Sequence, residues 1–255
     1  MHCSVSRLEN HGTFRFTCSP EVPCFNACCR DLNQVLTPYD VLCLKQYLTM
    51  TSTDFLNVYT QKSTGTGTGL PVVSLRFGDA RDLACPFVTP EGCRVYPARP
   101  ASCRTYPLAR GVSRDRQTGT LTEHWALIRE PHCRGFEGGT PTTVDEWVAD
   151  QQIADHNRMN DRMLELISQK NRLRPGVLPP SEAALVTTAL YDLDAFRGRI
   201  DEALADMPAT GLSEQDLSDD VDLLCFAMDW VRQKVFEGRT SEAKFSGKRS
   251  VDDNP

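Results

Sequence analysis

The stretch CSPEVPCFNACCR, residues 18–30, carries four cysteines and ends in the adjacent pair Cys28 and Cys29. Three more follow at Cys85, Cys93 and Cys103, and an eighth at Cys133. Thiolates in such density are the ligands of zinc and of iron–sulfur clusters, and loop-borne ligands can converge from distant positions once a chain folds. The spacings are Cys18-x5-Cys24-x3-Cys28-Cys29, then Cys85-x7-Cys93-x9-Cys103, then Cys133. None is the C-x2-C of a zinc ribbon or of a dithiol redox pair. The C-x3-C-x2-C of radical S-adenosylmethionine proteins would need a cysteine where Asp31 stands, and ferredoxin spacing is absent too.

Turn residues flank the cysteines: Ser19-Pro20, Pro23, Pro86, Gly92, Pro97, Pro100 and Gly135. Loops of that kind bury little by themselves, and a bound metal converts its binding energy into folding energy. Arg30, Arg94, Arg99, Arg104 and Arg134 stand beside cysteines, where their charge would offset the excess negative charge of a thiolate site. Eight cysteines fit two four-ligand sites, or one four-ligand cluster with spare thiols. His132 adjoins Cys133 and is the one imidazole placed to replace a thiolate. Cys43 and Cys225 sit in apolar helical stretches and read as small core residues, and Cys3 stands near a terminus. Tyr96 and Tyr106, in the matching RVYP and RTYP segments, are expected to pack over the cluster.

These residues resemble a known family. CFNACCR, then LTPYDVLCLKQYLTMTSTDFLNVYT, then ACPFVTPEGCRVYPARPASCRTYPL, then CRGFEGG and TVDEWV follow in order the pattern of the YkgJ-type cysteine-cluster family, a zinc- or iron-chelating domain, over about residues 14–150. The resemblance implies that Cys18, Cys24, Cys28, Cys29, Cys85, Cys93, Cys103 and Cys133 are the metal ligands. The family is distantly similar to flagellin lysine N-methylases with an iron–sulfur cluster, which implies a methyltransferase-like enzyme as an alternative role. The expected cofactor is an iron–sulfur cluster of the [4Fe-4S] type, with Zn2+ as the alternative.

The elements that must position these groups can be read from capping and periodicity. Thr37, Pro38 and Asp40 predict a helix over 38–49, and Thr51 with Asp54 a second one to about Tyr59. The Gly/Thr alternation QKSTGTGTG reads as a mobile loop. From Leu70 to Glu130, short runs rich in β-branched and aromatic residues predict a small antiparallel sheet, with SRDRQTGT as a hairpin connection. Thr143 and Glu146 have capping-box spacing at the start of a helical stretch that stops at Pro175-Gly176, and further helices are expected at about 181–205 and 214–237. The fold class is therefore α+β: a metal-organised cysteine-rich module over 1–172, a linker at 173–179, a helical segment over 180–238 and a disordered tail at 239–255.

The chain has 255 residues and a formal net charge of -6, with no basic stripe to neutralise phosphates, which argues against a nucleic-acid partner. Its opening, MHCSVSRLENHGTFRF, lacks the apolar core of a signal peptide, and no stretch nears the roughly 18 consecutive apolar residues of a membrane span. The expectation is a cytoplasmic protein with no membrane association. Clustered thiols in that reducing compartment are metal ligands more often than disulfides. Redox or metal handling with a protein or redox partner ranks first, and a structural zinc module for partner binding is the third reading.

Overall fold

The structure, a computed structural model, describes residues 3–9, 12–78, 83–115 and 117–238. The expected tail at 239–255 lies outside the described residues. In chain order the elements are β1 (Ser4–Leu8), β2 (Thr13–Arg15), β3 (Val35–Leu36), α1 (Pro38–Tyr47), α2 (Ser52–Tyr59), β4 (Thr60–Thr64), β5 (Pro71–Leu75), β6 (Val88–Thr89) and β7 (Gly92–Cys93). They continue with α3 (Ala101–Thr105), β8 (Leu108–Arg114), β9 (Leu121–Arg129), β10 (Pro141–Thr143), α4 (Val144–Asp150), α5 (Ala154–Leu173), α6 (Pro180–Tyr191), α7 (Leu193–Arg197), α8 (Ile200–Asp206) and α9 (Asp220–Val231). A π-helical turn, Arg232–Glu237, follows α9. The fold is mixed α+β with a helical C-terminal part.

The chain divides into two compact units, residues 1–48 with 75–158, and residues 49–74 with 159–255. The expected linker at 173–179 thus falls inside the second unit. The reason lies in residues 49–74, whose partners come from beyond residue 159: α2 packs against α7, and the β4–β5 turn is gripped by residues near Pro175.

In the first unit, β9 is the centre of a three-stranded antiparallel sheet, with β1 on one side (Ser4 opposite Arg129, Leu8 opposite Trp125) and β8 on the other (Leu108 opposite Leu127, Arg114 opposite Leu121). The hairpin β8–β9 closes through the expected polar turn, where Asp115 Oδ1 accepts the Gln117 and Thr118 amides at 2.9 and 2.7 Å and Gly119 adopts φ +74°. A second ribbon pairs β2 with β10 (Arg15 opposite Pro141). Phe14, Phe16, Leu108, Trp125, Leu127 and Val144 form the core between these strands. Phe16 is its hub: Tyr106, Phe136 and Trp147 each meet its ring edge-on, with centroids at 5.6, 5.1 and 5.8 Å.

Helix α1 starts as its sequence dictates. The Thr37 amide donates to Asp40 Oδ2 at 2.9 Å and the Asp40 amide to Thr37 Oγ1 at 3.2 Å, with Pro38 at the first helical position. Thr143 and Glu146 make the same reciprocal pair at α4. The helical stretch beyond breaks at Gln152 (φ +53°), after which Ile153 is fully buried and α5 begins. The stretch expected at 181–205 is likewise three short helices, because Asp192 ends α6 and its carboxylate accepts the Ala195 amide to start α7.

In the second unit, α6 packs against α7 and α9 around the fully buried Leu190, Leu193, Leu223, Leu224 and Phe236. The segment QKSTGTGTG is ordered here, contrary to the expected mobile loop. It forms β4 and a tight turn, with the Gly69 amide donating to the Gly65 carbonyl at 2.7 Å. Gly69 has φ +65°, and a Cβ there would lie 2.1 Å from the Gly176 carbonyl oxygen. Lys170, fully buried, donates from Nζ to the carbonyls of Thr68 and Gly176 and so fastens the turn from α5. No helix among the described residues is long and apolar enough to cross a membrane.

Candidate metal centre

All eight candidate cysteines lie in the first unit, on loops and short turns that the sheet and α1 hold in place. Cys18 follows Phe16, whose burial anchors that strand end, and the Thr17 amide donates to the Gly135 carbonyl at 3.0 Å, which brings the Cys18 and Cys133 segments together. The Arg134 amide then donates to Cys24 Sγ at 3.1 Å. Cys28 and Cys29 sit on a 3-10 turn, Ala27–Cys29, entered through Asn26 in the left-handed region (φ +66°) and fixed by Asn26 Nδ2 to the Thr89 carbonyl at 2.9 Å. The Cys85 amide donates to the Cys29 carbonyl at 2.9 Å, and Arg30 and Ala84 form a bridge, so the first and second cysteine segments are stitched backbone to backbone. Cys93 ends β7, opposite Val88, and Cys103 rides on α3.

The thiols are close enough to feel one another's charge. Cys18 is pushed up to about 11 by burial first and then by Cys28, Cys24 and Cys133. Cys29 is pushed well above the usual thiol range by its hydrogen bond to Cys28, by burial, and by the charges of Cys28, Cys85 and Cys103. Cys103 is pushed up to about 12 by burial, Cys85 and Cys93. Its residue surface is exposed, but its sulfur is crowded, with Gln34 Oε1 accepting from it at 3.7 Å. Cys28 is central among them: its charge raises Cys18, Cys29, Cys93 and Cys103. Its interaction with Cys29 lowers Cys28 while it raises Cys29.

One sulfur accepts a backbone N–H group in the manner of a metal-bound thiolate, Cys24 from Arg134, and the Val88 amide donates to the Cys85 carbonyl at 3.1 Å. The donor set therefore suits zinc or an iron–sulfur cluster in its chemistry. Among the described residues, however, no three histidine, cysteine, aspartate or glutamate side chains converge on a point that could hold a metal ion. Raised thiol pKa values accompany that separation, since metal binding must displace the protons these thiols keep.

The flanking arginines behave differently from one another. Burial raises the Cys93 thiol, and the charges of Arg99 and Arg94 offset part of that rise. Arg104 is buried and spends its guanidinium on the carbonyls of Arg99, Gln151 and Pro97, bracing the turn that precedes Cys103. Arg134 contributes its amide to Cys24 while its guanidinium pairs with Glu137 at 2.5 Å. His132 faces Glu130 at 3.7 Å. Tyr106 is half-buried against Phe16, and burial and the nearby Cys133 raise its hydroxyl. Tyr96 is exposed, with the Arg99 guanidinium stacked 3.8 Å over its ring. Cys43 and Cys225 are half-buried and Cys3 is exposed.

One supporting residue was legible only as a helix cap. Asp40 is buried, and its second oxygen, Oδ1, accepts the Ala101 amide at 2.8 Å at the start of α3, with His156 Nδ1 at 3.1 Å. A single carboxylate thus ties the starts of α1 and of the Cys103-bearing helix together, with the His156 ring of α5 beside it. Its partners lie 61 and 116 residues away, beyond the reach of any local motif.

No curated protein and no solved structure matches the chain. The model of the CxxCxxCC family, described as a putative zinc- or iron-chelating domain, matches residues 17–134, a span that contains all eight thiols. The spacing in the family's name is not kept here, since five and three residues separate the first three cysteines where the name has two and two. The match and the stitched cysteine segments agree on the same stretch, and over residues 17–134 the chain is similar to the CxxCxxCC family.

Proposed function

We propose that Cys18, Cys24, Cys28, Cys29, Cys85, Cys93, Cys103 and Cys133 hold an iron–sulfur cluster, and that the protein serves in redox or metal handling with a protein partner in the cytoplasm. The observation that carries this reading is the gathering of eight thiols in one unit, their segments joined backbone to backbone and the Arg134 amide donating to Cys24 Sγ. When bound, a cluster supplies a one-electron couple whose potential follows net charge and hydrogen bonds to sulfur. The chain's own part is to present the thiolates, to donate the Arg134 amide to Cys24, and to set positive charge beside Cys93 through Arg94 and Arg99.

A structural zinc site is the second reading, favoured by the loop-borne placement of the ligands, which gain most from being tied together. A methyltransferase-like enzyme would have to bind S-adenosylmethionine, and calorimetric titration with that compound decides it. The test of the ligand set is substitution. Cys29→Ser and Cys85→Ser are expected to lower bound metal by half or more, while Cys43→Ser, outside the set, leaves it unchanged. Equal metal content in all three variants would overturn the assignment.

A further inference from the structure

We infer that a cavity of about 430 Å³ in the first unit is a binding site for a small oxyanion, a carboxylate or a phosphate, carried on a planar apolar body. It is lined by Thr13, Phe14, Arg15, Arg129, Phe136 and Pro141. Its size is that of a small-molecule site, which typically runs from about 300 to 1,000 Å³. Two of its six lining residues are arginines and none is a carboxylate, on a chain whose net charge is -6. That imbalance is local and specific, and it is independent of the metal.

Both arginines are held from the core. Arg15 ends β2, next to the buried Phe14, and its Nη1 donates to the Gly139 carbonyl at 3.2 Å. That bond uses one of the guanidinium's five N–H groups. Arg129 ends β9, and its guanidinium carbon stands 4.1 Å from the centre of the Phe136 ring. Stacking on a ring face engages the flat side of a guanidinium and leaves its N–H edge open for a bidentate partner. Phe136 in turn meets Phe16 edge-on at 5.1 Å, so the stacked pair is anchored to the same hub that fixes the Cys18 strand end. No ion pair of Arg15 or Arg129 with a carboxylate is present among the described residues. Around them, Phe14, Phe136 and Pro141 offer apolar walls and Thr13 a hydroxyl. An anion on an apolar ring satisfies both halves of that lining.

The test is calorimetric titration of the full chain, as purified with its metal, using inorganic phosphate, phenyl phosphate and benzoate at low ionic strength. One-site saturable binding of phenyl phosphate or benzoate, tighter than that of inorganic phosphate, is expected. Arg129→Gln and Arg15→Gln should each weaken it at least tenfold, and Arg129→Lys should fall between, since it keeps the charge and loses the fork. Preference for phenyl phosphate supports the site and assigns a phosphate ligand; preference for benzoate supports it and assigns a carboxylate. Binding of phosphate no weaker than phenyl phosphate overturns the apolar body. Absence of saturable binding of any probe by the unmodified protein, or binding untouched in folded variants, overturns the site.

Discussion

Cys28 and Cys29 are neighbours in sequence with opposite roles. The Cys29 S–H supports negative charge on Cys28, and the same bond, with burial, keeps the proton on Cys29. The wider consequence concerns pH. Cys18 and Cys103 are raised from 9.0 to about 11 and about 12, so without metal the folded state holds protons that the unfolded state releases. Their contribution to stability is complete below pH 9 and is lost as pH climbs through 9 to 12. Metal-stripped protein is therefore expected to melt at progressively lower temperature above pH 9, and a flat profile up to pH 11 contradicts the raised thiols. Asp40 is the other residue with long reach. Asp40→Ala leaves the Thr37 and Ala101 amides without their acceptor, at an expected cost of about 1–3 kcal/mol by denaturant unfolding, with Asp40→Asn milder because it keeps an acceptor. The eight thiols could be picked out one by one because sulfur in that density has few uses. The second role of Asp40 could not, because tertiary partners leave no trace at local spacing.

At the scale of elements, the short turns between strands decide whether the cysteine segments meet. Gly135 opens the turn after Cys133, and a Cβ there would lie 2.5 Å from the Phe16 ring and 2.6 Å from the Thr17 carbonyl oxygen. Neither neighbour can yield, since one is the core hub and the other is backbone beside Cys18. Gly135→Ala is thus expected to destabilise the first unit by about 3 kcal/mol, the upper end of overpacking, and to lower metal content in the purified protein; a wild-type melting curve with full metal contradicts the stitched arrangement. Elements with local signals were legible: the capping boxes at Thr37 and Thr143 start helices where expected, and the turn before Leu121 joins β8 to β9. The strand β1 was missed because all of SVSRL but its last residue is exposed and its partners lie 117 to 125 residues away. The breaks at Gln152 and Asp192 were missed because periodicity continues across them while the backbone does not.

For the whole molecule, only the first of the two units contains the clustered thiols. The division itself could not be read from composition, because residues 49–74 interrupt the first unit and join the second through contacts such as Ser52 Oγ to Asp192 Oδ1 at 2.8 Å and Lys170 to Thr68. The central claim is that the first unit is built around a metal centre whose ligands are drawn from these eight cysteines. The most direct measurement is iron, zinc and acid-labile sulfide content together with the visible absorption spectrum of anaerobically purified protein. The account predicts a brown sample with broad absorption near roughly 400 nm and about four irons with matching sulfide per chain, as a [4Fe-4S] cluster requires. A colourless, folded sample with neither iron nor sulfide contradicts the cluster, and one that also lacks zinc contradicts the metal centre itself.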